Sequence, residues 1–531
     1  MNLLCRNYCF FIITLIAILI SSILPGWCQA EDTRITPFNE AVQMRLRQGK
    51  EKVKMQTRVE PEVIQATPVI EKVQQEDPDV LVQFDNIARL KEILLESKTG
   101  EKFTPELEAM LEMALKDLSV SKAVQIALVL NPQLLNAESQ VKESVGVYNE
   151  AKSNMNFKLN TNATYARIDP VAVAEFQFNP NEPPAEIELG KHNNWSGKLI
   201  LEKVISTFGQ LENSIAAAKL RMLSQQQRRE GVVQDVILSV RESYFQLLKA
   251  QGLVRIAEEN KVIVERQLKI TRDMFDAGVV PNFDVLRSEL LLSRAEQGVI
   301  TAKNFRDISR AALLNQLGLA RDYPMNLNDE FVIQPLDIDI LQAQEVALQN
   351  RPEIKAAILA VDALKHTVKA ARSGKAPTLA FSSTYENKTT AGLSAVPNTF
   401  TQALVLSFPI FDGGLTHARV QQAEAALTQV ESSLAQLYLG LRLEVKQSVL
   451  TLKELSAKLE AAEKDVVTAQ EGYDIGMLRY ENGLSTSVEL DDSLRLLNEA
   501  KINYLNVQYD YLTSLARLEK ATGTIWKGET E

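Results

Sequence analysis

Cysteine is almost absent from the 531-residue chain. It occurs 3 times, and all three residues lie in the first 28 positions, at Cys5, Cys9 and Cys28. The first 30 residues have the pattern of a secretory signal peptide, with one charge, a long apolar stretch and a small-residue cleavage site before Glu31. A lipid anchor on Cys28 is the competing interpretation, which the bulky Trp27 disfavours. From Glu31 onward we expect no disulfide, no thiol catalysis and no cysteine metal site.

Histidine is equally scarce and occurs at 3 positions, His192, His366 and His417. These residues are far apart and lack the spacing of metal ligands. The chain has no glycine-rich phosphate loop and no nucleophile elbow. We therefore predict that it is not an enzyme and binds no cofactor.

Basic residues are outnumbered by acidic ones, 58 against 68. Without Arg6 of the signal peptide, the net charge changes from −10 to −11. No basic patch with interleaved aromatic residues is present. This charge balance argues against a nucleic-acid partner.

Long apolar runs are missing after the signal peptide, and none reaches the roughly 18 residues of a membrane-spanning helix. A secreted chain with a membrane role must then use β-strands, because only helices and closed barrels satisfy their backbone groups in lipid. Residues 31–116 are weakly patterned, with prolines between positions 51 and 83. We predict a polar extension there, with two short amphipathic helices at most.

The most informative stretch is a strand that leads directly into a helix, between residues 404 and 430. Apolar residues alternate from position 401 to 410, which is typical of a strand with one apolar face. The strand should end near its proline, which cannot donate to a sheet ladder. The predicted strand-to-helix junction consists of Pro409, Phe411, Asp412, Gly413 and Gly414.

After this junction the apolar period becomes that of a coiled coil. Apolar residues recur at alternating steps of 3 and 4 from Val420 to Leu441, and the pattern resumes from Leu452 to Tyr473. The eleven-residue step between Leu441 and Leu452 is a stutter, which locally unwinds a supercoil. The pattern predicts one helix of about 65 residues, roughly 100 Å long.

The sequence repeats itself from Asp117 onward. Residues 127–132 (ALVLNP) correspond to 347–352 (ALQNRP) at an offset of 220, and the offset later falls to 205 because the first copy has a longer loop. We predict these divisions: a signal peptide (1–30), a polar extension (31–116), a first repeat (117–337), a second repeat (338–524) and a tail (525–531).

Each copy is predicted to contain the same elements in the same order. A short helix is followed by a helix that begins at Pro132 or Pro352, where a missing N–H costs little. Two strands and a long helical hairpin with a glycine turn complete the copy. The strands are expected at Phe157–Arg167, Trp195–Ser206, Thr378–Tyr385 and Thr399–Phe411, with a proline-rich loop at Asn179–Asn194. The long helices are expected at Gln210–Ala277, Asn282–Leu317, Leu415–Tyr480 and Thr486–Thr522.

The predicted strands have one apolar face, with aromatic residues near its ends, and one polar face. Such a strand can separate lipid from a wet lumen, although a solvated sandwich strand has the same pattern. Four strands cannot close a barrel, and open edges are not tolerated in lipid. If these strands lie in a membrane, several protomers must share one barrel.

Together these features resemble the TolC-like outer-membrane efflux proteins, over about Asp117–Thr524. The most specific element is Phe408–Ala423, which is similar to the family's P-x-F-x-G-G junction. The paired tips, Phe275–Gly278 and Tyr480–Gly483, are the second. The resemblance implies a mainly α fold with a small β part. It implies a homotrimer, in which a twelve-stranded outer-membrane β-barrel continues into a periplasmic α-barrel.

The resemblance also implies partners and a function. A periplasmic adaptor and an inner-membrane pump would dock at the helical tips. The chain would be a passive, gated exit duct for efflux or type I secretion. Small and apolar tip residues are the candidates for adaptor docking: Gly278, Val279, Val280, Gly483, Leu484 and Ser485.

Acidic residues near the tips are candidates for a gate. Asp284 follows the first tip, and Glu489 and Asp492 follow the second on one helix face. The resemblance implies that Glu489 and Asp492 surround a periplasmic aperture, where a three-fold ring would attract cations and disfavour anions. The alternative is that these acids only complement the helix dipole.

Some family members close the tip with a latch of Tyr, Arg and Asp. Tyr480 and Asp284 match this pattern, but Ser485 stands at the expected Arg position, and Arg479 is the neighbouring alternative.

Two other classes of protein have long coiled coils. A periplasmic adaptor would need lipoyl-like and β-barrel segments, and a cell-surface adhesin would lack lipid-facing strands. The duplicated strand pairs oppose both interpretations.

Overall fold

The computed structural model describes residues 113, 115–177, 185–188, 190–319, 323–327, 337–388 and 398–525. The predicted signal peptide, nearly all of the predicted extension and nearly all of the predicted tail lie outside these residues. Among the helices that are described, none is both long and apolar enough to cross a membrane.

Two halves with the same order of elements follow each other along the chain. The first half contains α1 (Val120–Leu130), α2 (Pro132–Ser153), β1 (Lys158–Arg167), β2 (Val173–Phe176), β3 (Ala185–Glu188), β4 (Asn193–Ser206), α3 (Gln210–Asp276) and α4 (Asn282–Gln316). The second contains α5 (Ile340–Asn350), α6 (Pro352–Arg372), β5 (Thr378–Lys388), β6 (Asn398–Ser407), α7 (Leu415–Glu481) and α8 (Ser487–Thr522). The predicted fold class, mainly α with a small β part, is confirmed.

Corresponding residues begin corresponding helices. Ser119 caps α1 by accepting a hydrogen bond from the N–H of Lys122, and Asp339 caps α5 by accepting from Gln342. Pro132 and Pro352 occupy the first turns of α2 and α6, as predicted. These local signals explain why the helix starts can be predicted from sequence.

A close contact of the end of α4 with the α1–α2 junction recurs between the end of α8 and the α5–α6 junction. Gly318 ends α4 with φ +80°, and a Cβ there would lie 2.5 Å from the carbonyl oxygen of Leu130. Gly523 ends α8 with φ +71°, and its Cβ would lie 3.0 Å from the backbone of Arg351. Both positions exclude a side chain through backbone conformation and through space. The end of each long hairpin is thereby fixed against the start of a short helix.

The predicted coiled-coil seam of α7 lies on its packed side. Leu441, Leu452, Ala462 and Tyr473 are buried, and the remaining seam positions are buried or half-buried. Burial therefore continues through the predicted stutter, where Val445 and Val449 are both buried.

Four strands form an antiparallel sheet in the order β1-β4-β5-β6. Cross-strand pairs such as Tyr165 with Trp195 and Tyr385 with Phe400 lie on an apolar face. The opposite face carries Lys158 paired with Glu202, Lys198 paired with Glu386, and several Asn and Thr residues. The two faces predicted from the alternation are confirmed. Lys203 is a cation on the apolar face, and its Nζ lies 4.4 Å from the ring centroid of Phe157.

Three details of the strand prediction are wrong. The predicted loop at Asn179–Asn194 contains β3, which pairs with β2 and places Glu186 opposite Glu175. Like charges in opposed positions disfavour a strand pair, so the sequence signal is weak there. β6 ends at Ser407 and not at Phe411, because Pro409 cannot continue the ladder. β5 extends past Tyr385 to Lys388.

The four long helices pack in the order α4-α3-α8-α7, so that α3 and α8 join the two halves. One apolar cluster surrounds Tyr244 in α3, and includes Leu313 of α4 and Leu512 of α8. A second lies nearer the glycine turns and includes Val264 of α3, Tyr473 of α7 and Leu490 of α8. The hairpins are thus packed at two levels along their length.

Candidate aperture at the hairpin tips

Both long hairpins turn with the same backbone geometry. Gly278 follows α3 with φ +77°, and Gly483 follows α7 with φ +70°. The next residue in each case donates its N–H to a carbonyl five residues back, Val279 to Met274 at 2.9 Å and Leu484 to Arg479 at 2.8 Å. This bond closes a Schellman motif, which needs a residue with positive φ. The two tips predicted from the sequence are therefore structurally equivalent.

The tip surfaces are small and apolar. Val279 is 61% exposed and Leu484 is 70% exposed, whereas Val280 and Ser485 are half-buried. A Cβ at Gly278 or Gly483 would meet no described atom within 4 Å. These residues form a free surface in the protomer, and their contact with an adaptor stays a prediction.

Glu489 and Asp492 both lie exposed in the first two turns of α8. The N–H of Glu489 donates to Thr486 Oγ1, so this residue belongs to the capped helix start. Asp492 pairs with Arg495 at 2.7 Å, and Arg495 also pairs with Glu499 at 2.7 Å. The hydrogen bonds to Asp492 and Glu499 raise the pKa of Arg495. Within the protomer, the charge of Asp492 is thus partly neutralised by its own helix.

Tyr480 and Asp284, the two residues that match the family's latch, each bond to another residue within the protomer. The hydroxyl of Tyr480 lies 3.0 Å from Thr271 Oγ1, and Asp284 accepts a hydrogen bond of 2.9 Å from Ser487. Burial raises the pKa of Tyr480, and the bond to Thr271 opposes that shift. Arg479 donates to the carbonyl of Leu484 at 3.3 Å and so braces its own tip. Tyr480 and Asp284 are therefore both hydrogen-bonded near the tips, but to Thr271 and Ser487 and not to each other.

The charged contact between the hairpins involves residues that the sequence reasoning missed. Arg287 Nε of α4 lies 2.7 Å from Asp491 Oδ2 of α8, and Gln267 Nε2 of α3 donates to the other carboxylate oxygen at 2.8 Å. The side chain of Asp491 is only 11% exposed, and Gln267 is fully buried. One carboxylate therefore links three helices just above the tips.

A signal for this contact was present in the sequence. Arg287 lies nine residues after Gly278, and Asp491 lies eight residues after Gly483. Opposite charges at matching distances from two adjacent tips can meet when the hairpins lie side by side. The prediction weighed Glu489 and Asp492 instead, because it considered acids on one helix face and the positions implied by the family resemblance, and did not compare opposite charges between the hairpins.

The predicted strand-to-helix junction has a clear local cause. Asp412 accepts hydrogen bonds from the N–H groups of Thr416 at 2.8 Å and Gly414 at 3.1 Å, and so caps α7. Hydrogen bonding by Thr416 lowers the pKa of Asp412 to about 2. Ile410 and Phe411, which precede this cap, are 91% and 89% exposed. The junction therefore combines a strong helix start with a bare apolar surface.

Comparison with known proteins identifies the family. The sequence pattern of the family described as "Outer membrane efflux protein" matches residues 123–319 and 344–524, which is most of the chain. The chain belongs to this family. The outer membrane efflux protein family places the chain in the outer membrane, as the exit duct of an efflux or secretion system. The resemblance noted in the sequence is thereby confirmed, and the adaptor and adhesin alternatives are excluded.

Individual relatives of this efflux protein are distant. The outer membrane protein TolC of Vibrio cholerae is 26% identical over 301 residues, 55% of this chain and 68% of that protein. The outer membrane protein TolC of Escherichia coli is 23% identical over 428 residues, 77% of this chain and 82% of that protein. The outer membrane channel CmeC of Campylobacter jejuni has the same fold, with a TM-score of 0.66 at 17% identity over 82% of this chain and 91% of that one. These relatives are channel proteins and not enzymes, in agreement with the missing enzyme motifs.

Asp491→Asn should loosen the tips of this efflux protein. The substitution removes the charge that Arg287 neutralises, and a hydrogen bond to a charged group contributes about 1.5–3 kcal/mol. Cleavage by trypsin near the tips should then accelerate about tenfold or more, because cleavage follows the population of the open form. Glu499→Gln is the matched control, since it removes an exposed carboxylate from the same helix. Equal cleavage rates in the two variants would contradict the role of Asp491.

Proposed function

We propose that three copies of this efflux protein assemble into a passive duct whose gate lies at the hairpin tips. The duct would receive its substrates from a periplasmic adaptor and an inner-membrane pump. The observation that carries this proposal is that the protomer has exposed edges in two places, at the outer strands of the sheet and at the outer helices of the helical layer. Three arguments support it, from the sheet, from the helices and from the tips.

The sheet has two edges that need partners. β1 and β6 are the outer strands of the order β1-β4-β5-β6, and each presents a row of backbone groups on its outer side. An edge of this kind is costly in lipid, where water cannot satisfy it. A second copy can pair its β6 with β1, and three copies close a barrel of twelve strands. The apolar face of each sheet would then meet the lipid of the outer membrane, and the polar face would line the lumen.

The helical layer is open in the same way. α4 and α7 are its outer helices, and each has a second apolar stripe on the side turned away from the buried one. In α4 the exposed stripe comprises Phe283, Leu286, Leu290, Ile300 and Ile308. In α7 it comprises Leu439, Leu443, Leu450, Val467, Ile475 and Leu478. Steps of 3 and 4 residues occur in both stripes, at 283–286–290 in α4 and at 439–443 and 475–478 in α7, so the stripe of one copy would pack against the stripe of the next as in a coiled coil.

The acids at the tips support a cation-attracting aperture. Glu489 and Asp492 remain exposed in the protomer, and Asp284 is half-buried beside them. Three-fold symmetry would collect these carboxylates around the duct axis, where their repulsion is relieved by water or cations. Arg495 weakens the contribution of Asp492, so Glu489 would dominate the field at the aperture.

The tips also suit a partner that approaches along the duct axis. The small exposed residues at both glycine turns leave the backbone accessible, and Val279 and Leu484 supply apolar contact area. An adaptor made of helical hairpins could meet these two equivalent surfaces with the same kind of contact. Docking at this end would leave the strands free in the outer membrane.

The trimer can be tested with a cysteine pair. Contacts of Gln267 with Asp491 and of Gly476 with Ser493 place Leu478 of α7 level with Asp491, and α3–α4 ion pairs place Leu290 of α4 close to the same level. Leu290→Cys combined with Leu478→Cys should therefore form disulfide-linked trimers on oxidation of native membranes. No native cysteine lies beyond Cys28, so the background is clean.

The control for this pair is Leu290→Cys with Leu439→Cys. Leu439 lies on the same stripe of α7, about 58 Å above Leu478 at 1.5 Å per residue. This control pair should yield monomers only. If the two pairs behave alike on a non-reducing gel, the proposed assembly is wrong.

The aperture can be tested by cation block in planar bilayers. A trivalent cation added on the periplasmic side should block the parent channel by binding across protomers. Glu489→Gln combined with Asp492→Asn should lose this block and weaken the cation preference. Glu454→Gln with Glu460→Gln removes the same charge from α7, with Glu460 about 35 Å from the tip, and should keep the block. A double variant at the tip that is blocked as strongly as the parent would show that these acids serve only the helix dipole.

Docking can be tested at the second tip. Gly483→Trp should abolish export while leaving the trimer and its amount in the membrane intact, because the ring covers the proposed contact surface. The turn itself needs positive φ, which Asn adopts at low cost. Gly483→Asn therefore separates backbone strain from bulk and should export far better than the Trp variant. Normal export by Gly483→Trp would refute the docking surface.

A further inference from the structure

The two hairpins contact each other through α3 and α8, and one segment of this contact lies between two apolar clusters. We call this segment the waist, and it comprises residues 249–260 of α3 and 498–510 of α8. The apolar cluster above it reaches down to Leu248 and Leu512, and the cluster below it begins at Val264 and Leu497. The waist thus separates two well-packed levels of the same helix pair.

The polar contacts of the waist are weak ones. Lys249 pairs with Asp510 and Lys501 pairs with Glu259, each at 3.3 Å, and Asn498 donates to Asn260 at 2.6 Å. Both carboxylates are about half exposed, so each ion pair contributes little and can re-form in a shifted geometry. These pairs guide the two helices without fixing the angle between them.

One apolar contact in the waist is unusually close. A Cβ built on Gly252 of α3 would lie 2.7 and 2.9 Å from the two methyl carbons of Leu505 and 3.3 Å from its Cγ. Leu505 is itself buried at 6% exposure. Carbon atoms pack at about 3.5–4.0 Å, so a side chain at position 252 requires either that Leu505 changes its rotamer or that α8 moves away by about 1 Å. The side chain of Leu505 is therefore a knob that packs into a hole on α3, which the missing side chain of Gly252 leaves open.

We propose that the contact between Gly252 and Leu505 is the fulcrum on which the lower parts of α3 and α8 tilt. Its spacing sets the separation of the tips. This inference rests on the proposed duct function, because it concerns the width of the aperture. Both helices run unbroken through the waist, and Gly252 lies about 36 Å above the end of α3 at 1.5 Å per residue. Because the cluster around Tyr244 holds both helices above the waist, a displacement at this contact tilts their lower parts and becomes larger toward the tips. Gly252 and Leu505 act as positioning residues, since both are buried between the helices.

Gly252→Ala tests the fulcrum. Ala normally stabilises a helix relative to Gly, so helix propensity alone would make this variant more stable and would not widen the tips. If the contact sets the tip separation, the variant should widen the tips. An engineered pair, Arg266→Cys with Glu481→Cys, reports this separation, because the native side chains form an ion pair at 3.3 Å between α3 and α7. Cross-linking of this pair should fall several-fold, and the single-channel conductance of the reconstituted protein should rise.

Two further variants make the result decisive. Gly298→Ala is the matched control, since Gly298 lies within α4 and a Cβ there meets no described atom within 4 Å. It should leave cross-linking and conductance at parental values. Leu505→Ala added to Gly252→Ala removes the opposing methyl groups and should restore both readouts, which a merely destabilised protein would not do.

The outcomes separate this inference from the proposed function. If Gly252→Ala behaves like Gly298→Ala, Leu505 has turned aside without moving α8, and the fulcrum is refuted. Loss of folding that Leu505→Ala does not rescue also refutes it, because the damage then lies outside the contact. If the parent itself forms no conducting trimer, the proposed duct fails and not only its fulcrum.

Discussion

The antiparallel contact between α3 and α8 holds the two halves of the chain side by side. Its register is constant, because the 25 residues from Glu242 to Gln267 in α3 are matched by the 26 residues from Arg517 to Asp491 in α8. Each half alone is a helical hairpin with one packed side. Along the long hairpins this contact brings the two glycine turns to the same level, while the pairing of β4 with β5 and the packing of α6 on α3 join the two halves further up. The tip geometry, the Asp491 cluster and the waist all depend on it.

Much of this architecture could be predicted from the sequence because its causes are local. The seam of α7 follows from apolar spacing, the tips from Gly278 and Gly483, and the helix starts from Pro132 and Pro352. The bonds of Asp491 depend instead on how two distant hairpins align, and their sequence signal appears only when Arg287 and Asp491 are compared across the two glycine turns. The hairpin β2–β3 escaped prediction for a related reason: Glu175 faces Glu186, so its pairing comes from the backbone and not from its side chains.

The two halves of the duplication have diverged where they meet other elements. Asn131 donates to the carbonyl of Gln316 at the end of α4, and Arg351 donates to the carbonyl of Lys520 at the end of α8. The arginine is buried and needs Glu353 and Glu444 to neutralise it, whereas the asparagine needs no partner charge. The same joint is therefore made once with a neutral group and once with an ion cluster. Both repeats keep the same fold, while the residues that make equivalent contacts differ between them.

The aromatic rows of the sheet give it a definite length. Phe157 and Tyr165 stand eight residues apart on one face, about 27 Å along a strand at 3.4 Å per residue. At a strand tilt of about 40°, this corresponds to about 21 Å of height, close to the roughly 25 Å of a typical outer-membrane apolar band. Strands cannot stretch, so a thicker or thinner bilayer has to be matched by a change in their tilt. Gly209 and Gly414 connect these strands to the long helices within a few residues. A change in strand tilt that matches a thicker or thinner bilayer is therefore transmitted directly to the helices.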